Sequence, residues 1–487
     1  MDTNTAVIET NAPQGKELIY SRTIADLPGP KPQPLVGNLL HLNKRQVHLT
    51  IEKWMREFGS AFKFSVLGNT VVVLSDHAVV TTMLRERPDV FRRNDGGINI
   101  MKELKIAGVF TAEGEDWRNQ RKLVMRGLNA EVVRNYFPTM VQMTERMLQR
   151  WKIAVENGKR VDLQRDLKAM ALDTIVGIAM GYDIDAVNDD GSQLQRDIDN
   201  IFQNLGRRAA AMYPYWRRFK LPVDRAADRS AAGVEKKVAE FIADTRERMK
   251  QNPHLRLKPT NMLEAMIATA DDPDSNFTDQ ELIGNAITSV VGGEDTTANS
   301  IAWMVNFLAQ NPAVAASLAA EVDAVMGDAP LVTEWEKMMQ FPYLDATHNE
   351  SQRLRSVAPL IAVRSNIECV VADTLIPKNT LIFASTIGTA HDETHFPQSE
   401  LFRPERWIFE EKPQESDDPM RKLFPFGAGP RLCPGRFLAL TEIRMVVSML
   451  VHNFELEFDH DAPPVKQLMN FFMVPSAVPV RLKLRSL

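Results

Sequence analysis

The chain has 487 residues, 44% of them hydrophobic and 25% charged, the balance of an ordinary globular protein. A formal net charge of −5 gives no global attraction to nucleic acid, and two cysteines, Cys369 and Cys433, exclude a disulfide framework and fit a reducing compartment. The length is enough for a core that encloses a cofactor.

Residues 1–26 are polar and read as a tail, with neither a bilayer-spanning apolar run nor a signal-peptide layout. A proline run follows at 27–34. Helical spacing begins at 48–58. Residues 62–67 and 70–74 alternate as two strands, with the hairpin turn expected at Gly68-Asn69. From Asp76 to about Arg355 helical periodicity dominates, with breaks expected at 94–97, 188–191, 252–260 and 271–275. Beyond Pro359 the pattern turns to short strands and loops. Residues 410–419 read as a charged surface loop, and 478–484 alternate again. No repeat or composition shift marks a second domain. Residues 27–487 are therefore expected to form one domain, mainly α with a small β region. No stretch is apolar and uncharged for long enough to span a membrane, so a cytoplasmic protein is expected.

Within this outline four segments carry chemistry. Trp117 and Arg121, at i and i+4, offer an indole N–H and a guanidinium on one helix face, donors suited to a carboxylate; a core aromatic is the competing reading of Trp117. The spacing predicts a long apolar helix over Asp279–Gln310, opened by the capping box Thr278…Glu281 and closed by Asn311-Pro312. In its middle stands Gly292-Gly293-Glu294-Asp295-Thr296-Thr297. Two helix-interior glycines cost about 1 kcal/mol each, which a flat ligand or bound oxygen pressing on the helix would offset. A carboxylate followed by an alcohol can relay protons and orient a water; a kinked helix with solvated polar residues is the plain alternative.

Glu350 and Arg353 stand one turn apart, a spacing that usually means a surface ion pair. Phe402-Arg403-Pro404-Glu405-Arg406-Trp407 follows downstream. Finally, Phe424-Pro425-Phe426-Gly427-Ala428-Gly429-Pro430-Arg431-Leu432-Cys433-Pro434-Gly435 presents one cysteine beside an arginine, just before an apolar helical stretch at 436–452. A thiolate near a cation and a helix start is a good metal ligand, although a lone intracellular cysteine is more often a small buried hydrophobe.

The spacing Phe426, Gly429, Arg431, Cys433, Gly435 resembles the haem-binding loop of the cytochrome P450 family of haem-thiolate monooxygenases, and the other three segments resemble that family's motifs in its order. The resemblance implies the family's fold, with haem b between the long helix and the cysteine loop. Cys433 would be the metal ligand, its thiolate pushing electron density that favours O–O cleavage. Pro425, Phe426, Gly427 and Gly435 would surround the cofactor. Gly292 and Thr296 would face it, and Trp117, Arg121, Arg364 and Arg431 would hold its propionates. Catalysis would fall to Asp295, Thr296 and Cys433. Glu350, Arg353 and Arg406 would form a buried triad that supports the haem loop.

Two departures stand out. Ala390-His391-Asp392 occurs where the family often has arginine before aspartate, which leaves the role of His391 open. Asn69 and Val73 replace an arginine and a tyrosine of fatty-acid hydroxylases, so a carboxylate anchor is not expected.

By the same resemblance the substrate pocket would take Met101, Leu104, Val109, Phe110, Phe202, Leu205, Thr288, Val291, Ala358, Leu360, Phe471 and Phe472, with 212–216 in its roof. These residues are mostly apolar, which fits a small hydrophobic substrate, though each equally suits plain core packing. The implied reaction inserts one oxygen atom from O2. Neither a membrane anchor nor a fused reductase is expected. A monomer would draw electrons from a separate ferredoxin or flavodoxin and its reductase, docked on Lys122, Arg126, Lys422, Arg431 and Arg436. Peroxide-driven or oxygen-non-inserting haem-thiolate oxidation is the alternative among enzymes. A haem-based sensor or ligand carrier is the alternative from another class.

Overall fold

The long helix forms over Asp279–Gln310, the residues its end signals predict. Thr278 Oγ1 accepts from the Glu281 amide at 3.2 Å, and Glu281 returns the bond by accepting from the Thr278 amide at 2.9 Å. The computed structural model describes residues 8–10, 18–43, 45–211, 213–273, 275–409, 411, 413–414 and 418–486. These fall into two compact units: Met1–Ile98 with Gln352–Leu401 and Phe409–Cys433, and Asn99–Ser351 with Phe402–Ile408 and Pro434–Leu487.

The first unit carries most of the β structure. A five-stranded sheet orders its strands Ala61–Val66, Asn69–Leu74, Leu381–Ser385, Leu360–Ser365, Phe91–Arg93. The short strand Phe91–Arg93 falls inside the stretch expected to be helical; three residues are too few for an alternating pattern. In a second sheet Ile8–Thr10 pairs antiparallel with Cys369–Val371, and Arg22–Thr23 runs parallel to Thr374–Ile376. Segments of the polar N-terminal stretch thus serve as strands. Two apolar clusters fill this unit, one around Phe91, Leu84 and Ile382, the other around Trp54, Phe62 and Phe64.

Two turn expectations need correction. The hairpin turns at Leu67-Gly68, with φ of 50° and 82°, one residue before the expected Gly68-Asn69. Asn69 is instead paired with Val66 as the first rung of the ladder, so the two-residue turn with positive φ at both positions falls before it. The glycine pair at 96–97 does not break the chain. It lies in the first turn of the helix Asp95–Glu103, where the Asn94 carboxamide oxygen accepts from the Gly96 amide at 3.4 Å.

The second unit is helical. The long helix packs chiefly along Leu163–Met180, itself almost wholly buried. Ala130–Glu156 and Arg436–Asn453 pack on each other, as do Gln193–Ala209 and Pro222–Gln251. Two small hairpin-like sheets, Phe454–Phe458 with Val480–Leu484 and Gln467–Met469 with Met473–Pro475, complete it around one continuous apolar core. The expected break at 252–260 contains a single helical turn, His254–Leu257. Among the described residues no helix is long and apolar enough to cross a membrane.

Candidate haem-thiolate site

In the first unit the cysteine loop is shaped by backbone geometry. Gly427 and Gly429 take φ of +74° and +67°, a region that side chains disfavour. A Cβ on Gly429 would strike the Leu84 carbonyl, whereas one on Gly427 would meet nothing within 4 Å. The Cys433 amide donates to the Phe426 carbonyl at 2.9 Å, closing the loop beneath a half-buried thiol. Pro425 and Phe426 are half-buried. Arg431 is buried, which removes it from any exposed docking patch. Its fixed cation belongs to the loop interior.

The remaining candidates of this unit have defined partners. Arg364 donates from Nη1 to the Asn379 carbonyl at 2.7 Å and from Nε to Asn94 Oδ1 at 3.2 Å. Arg353 is fully buried and donates to three carbonyls, Ala390 at 2.7 Å, Ser399 at 2.6 Å and Leu401 at 3.1 Å. It therefore ties down the segment that carries His391. That imidazole meets Glu400 through Nδ1 at 3.2 Å, and burial pushes its pKa down despite the neighbouring carboxylate. Ala358 and Leu360 lie at and beside the start of the strand Leu360–Ser365. Lys422 is half-buried.

In the second unit the two glycines of the long helix separate into different roles. A Cβ on Gly293 would lie 2.5 Å from Ile175 Cγ1, so this glycine permits close packing on the neighbouring helix and needs no ligand to explain it. A Cβ on Gly292 would meet nothing within 4 Å. One turn on, Thr296 Oγ1 donates to the Gly292 carbonyl at 3.0 Å and is half-buried. Thr288, one turn before Gly292, keeps a buried hydroxyl with no hydrogen-bond partner. Thr288, Gly292 and Thr296 thus mark one helix face at i, i+4 and i+8.

Asp295 points elsewhere. Its Oδ1 pairs with Lys168 Nζ at 3.0 Å and accepts from Asn299 Nδ2 at 2.9 Å. Lys168 also bonds Asp199, whose side chain is 35% exposed. Burial works against the Lys168 charge, yet Asp295, Glu294 and Asp199 outweigh it and raise its pKa. Glu294 is fully buried with both oxygens unpartnered, and that burial raises its carboxyl well above the usual range. Lys168 and Asp199 are not among the residues anticipated above. The sequence signal was weak: Lys168 stands in a helix that also carries Arg165, Asp166 and Asp173, so nothing local singles it out as the partner of a distant acid.

Glu350 sits in a donor-rich pocket of its own unit. Its Oε1 accepts from Arg406 Nε at 3.1 Å and from the Arg403 amide at 2.9 Å, and its Oε2 accepts from Trp407 Nε1 at 3.0 Å. The buried Glu350–Arg406 pair is one side of the expected triad, and Trp407, which was not anticipated, adds a donor to it.

The pocket candidates of this unit converge as an aromatic row. Phe110 meets Phe471 with centroids 5.9 Å apart, Phe471 meets Phe472 at 4.9 Å, and Phe472 meets Phe202 at 6.0 Å. Met101, Leu104, Val109, Leu205 and Val291 are buried in the same core. In the roof segment Met212 lies outside the described residues. Trp216 is buried, donating from Nε1 to Glu103 Oε2 at 2.7 Å, while Arg217 Nε donates to Glu103 Oε1 at 2.6 Å. Trp117 is buried, Arg121 half-buried, and Lys122, Arg126 and Arg436 are exposed. Gly435 caps the helix Arg436–Asn453.

The cytochrome P450 family model matches residues 27–482. The chain is similar to cytochrome P450 3A6 of Oryctolagus cuniculus, 26% identical over 447 residues that cover 88% of this chain and 86% of that one. It is likewise similar to sugiol synthase of Salvia miltiorrhiza, 27% identical with 95% of each chain covered. A third similarity is to protein LUTEIN DEFICIENT 5, chloroplastic, of Arabidopsis thaliana, at 24% identity over 92% of this chain and 76% of that one.

Proposed function

The chain belongs to the cytochrome P450 family, and we propose that it oxidises a small hydrophobic substrate with electrons from a separate ferredoxin or flavodoxin and its reductase. Membership makes it a haem-thiolate monooxygenase with haem b as cofactor and O2 as co-substrate. The observation that carries the reading is the open face of the long helix at Gly292, with the Thr296 hydroxyl one turn away.

Each unit carries side chains suited to haem b. Gly427 and Gly292 each leave open space where any other residue would put a Cβ. Cys433 offers the thiolate, and Arg431, Arg364, Arg121 and Trp117 supply donors for carboxylates. When bound, the cofactor supplies the activation of O2, favoured by thiolate electron donation.

The chain's own groups then divide the work. Thr296 Oγ1 spends its proton on the Gly292 carbonyl, which leaves its oxygen as an acceptor toward the open face. Asp295 holds the acid position next to it, tethered by Lys168, and Asp199 connects that pair with solvent. Glu294 is a second acid of the same buried cluster, its carboxyl raised by that burial beside the same lysine. The aromatic row presents an apolar wall that admits hydrocarbon and excludes water. Lys122 and Arg126 on one helix, with Arg436, offer exposed cations to an acidic electron donor. We read it further as a cytoplasmic monomer; two cysteines in 487 residues suit a reducing compartment. Cell fractionation and sedimentation test that part.

The test of the reaction is direct. Apolar compounds are screened for shifts of the Soret band, and hits are turned over with a surrogate reductase under 18O2. The product should carry one labelled oxygen. Label arriving only from water, or oxidation supported by peroxide alone, would overturn the reading.

A further inference from the structure

The segment 107–110 lies directly on the backbone of the long helix. A Cβ on Gly284 would collide with the Ala107 carbonyl oxygen. A Cβ on Gly108 would lie 2.6 Å from Thr288 Oγ1, 2.7 Å from the Gly284 carbonyl oxygen and 2.8 Å from Asn285 Cα. Two glycines facing each other thus let loop and helix touch main chain to main chain.

One side chain fastens this contact. Asn285 is fully buried, and its Oδ1 accepts from the Val109 amide at 2.8 Å. Its Nδ2 donates to Gln120 Oε1 at 3.1 Å and to the Glu281 carbonyl at 2.8 Å. Gln120 Nε2 in turn donates to Glu281 Oε1 at 3.1 Å, the carboxylate that closes the helix's capping box. Both amide protons and one oxygen of Asn285 are therefore committed, and the carboxamide is locked in one orientation. The loop amide it holds belongs to Val109, and the next residue, Phe110, opens the aromatic row through Phe471.

We propose that Asn285 is a positioning residue for substrate selection: it clamps the Val109 amide to the long helix and thereby fixes where Val109 and Phe110 stand in the pocket wall. The pocket role of those two residues rests on the function proposed above; the clamp itself does not. Without the carboxamide the Val109 amide loses its acceptor in a buried place, and the loop relaxes away from the helix. The substrates affected are those large enough to reach Phe110. A ligand small enough to occupy only the vicinity of the cofactor is indifferent to the clamp.

The test uses the holoenzyme, with Asn285→Ala as the clamp variant and Gln120→Ala as the control. Gln120→Ala removes a partner of Asn285 but keeps the Val109 bond. Hydrogen exchange at the Val109 amide should accelerate about tenfold in Asn285→Ala and stay within about threefold in Gln120→Ala. Imidazole and 4-phenylimidazole are then titrated by Soret shift. Asn285→Ala should change the ratio of their dissociation constants about tenfold while imidazole alone binds as in the wild type. Gly108→Ala, which pushes the loop off the helix, should move both readouts the same way and serves if Asn285→Ala does not fold. Unchanged Val109 exchange, or an unchanged ratio in a variant whose exchange has risen, would overturn the proposal. Failure of imidazole to shift the wild-type Soret band would instead overturn the haem-pocket reading, with the exchange result still deciding the clamp.

Discussion

Replacing Lys168 by methionine leaves Asp295 buried without its cation. The two groups stand 3.0 Å apart with side chains only 15% and 2% exposed. At an effective dielectric of about 20 their attraction is about 5 kcal/mol, most of which offsets the desolvation of both ions. Removing one partner of such a pair costs about 3–5 kcal/mol, because the remaining charge keeps its burial penalty. The loss has a pH signature. Burying a carboxylate without a cation disfavours its charged form and raises its pKa. A group raised in this way costs nothing below its unfolded pKa, and stability falls as pH climbs toward the folded one, by up to about 1.4 kcal/mol per unit. Lys168→Met should therefore be near wild type in denaturant midpoint at pH 5 and clearly weaker at pH 8. Adding Asp295→Asn should restore most of the loss at pH 8. Equal midpoints for Lys168→Met and wild type at both pH values would refute the buried-pair account.

Thr296→Ala removes the hydroxyl held on the Gly292 carbonyl; oxygen consumption should continue while product falls several-fold and peroxide rises, read by an oxygen electrode and a peroxide assay. Glu350→Gln strips the charge that Arg406 Nε, Trp407 Nε1 and the Arg403 amide share, and should cost about 3–5 kcal/mol in denaturant unfolding. Glu442 is fully buried, with one oxygen unpartnered, and burial pushes its carboxyl up to about 8, with Asp173 adding to the rise. A raised carboxyl favours folding at low pH and loses that contribution as pH rises toward 8, so Glu442→Gln should gain stability relative to wild type between pH 5 and pH 8, at up to about 1.4 kcal/mol per unit.

Local signals were the legible ones. The ends of Asp279–Gln310 follow from Thr278, Glu281 and Asn311-Pro312 because capping is decided by residues a turn apart. The cysteine loop is legible because its glycines and arginine sit within ten residues of the thiol. The rest depends on partners far away in sequence. Nothing near Gly293 announces that Ile175 will press on it, so a packing glycine looked like a ligand site. Asp295 and Lys168 belong to different helices, and only packing shows that the acid of the acid–alcohol pair is tethered. Phe110, Phe202, Phe471 and Phe472 each suit pocket or core alike in the sequence; their row exists only once three segments meet. Arg431 looked as exposed as Arg436 by composition, and burial separates them. The glycines at 96–97 misled because Asn94 and Asp95 start a helix strongly enough to carry them.

The most direct test of the central claim is the absorption spectrum of the reduced, carbon monoxide-bound protein, wild type beside Cys433→Ser. Haem held by the Cys433 thiolate predicts a red-shifted Soret band in the wild type and its loss in the variant, with haem content measured separately. A red-shifted band that survives Cys433→Ser, or a wild-type protein that incorporates haem without ever showing the band, would contradict it.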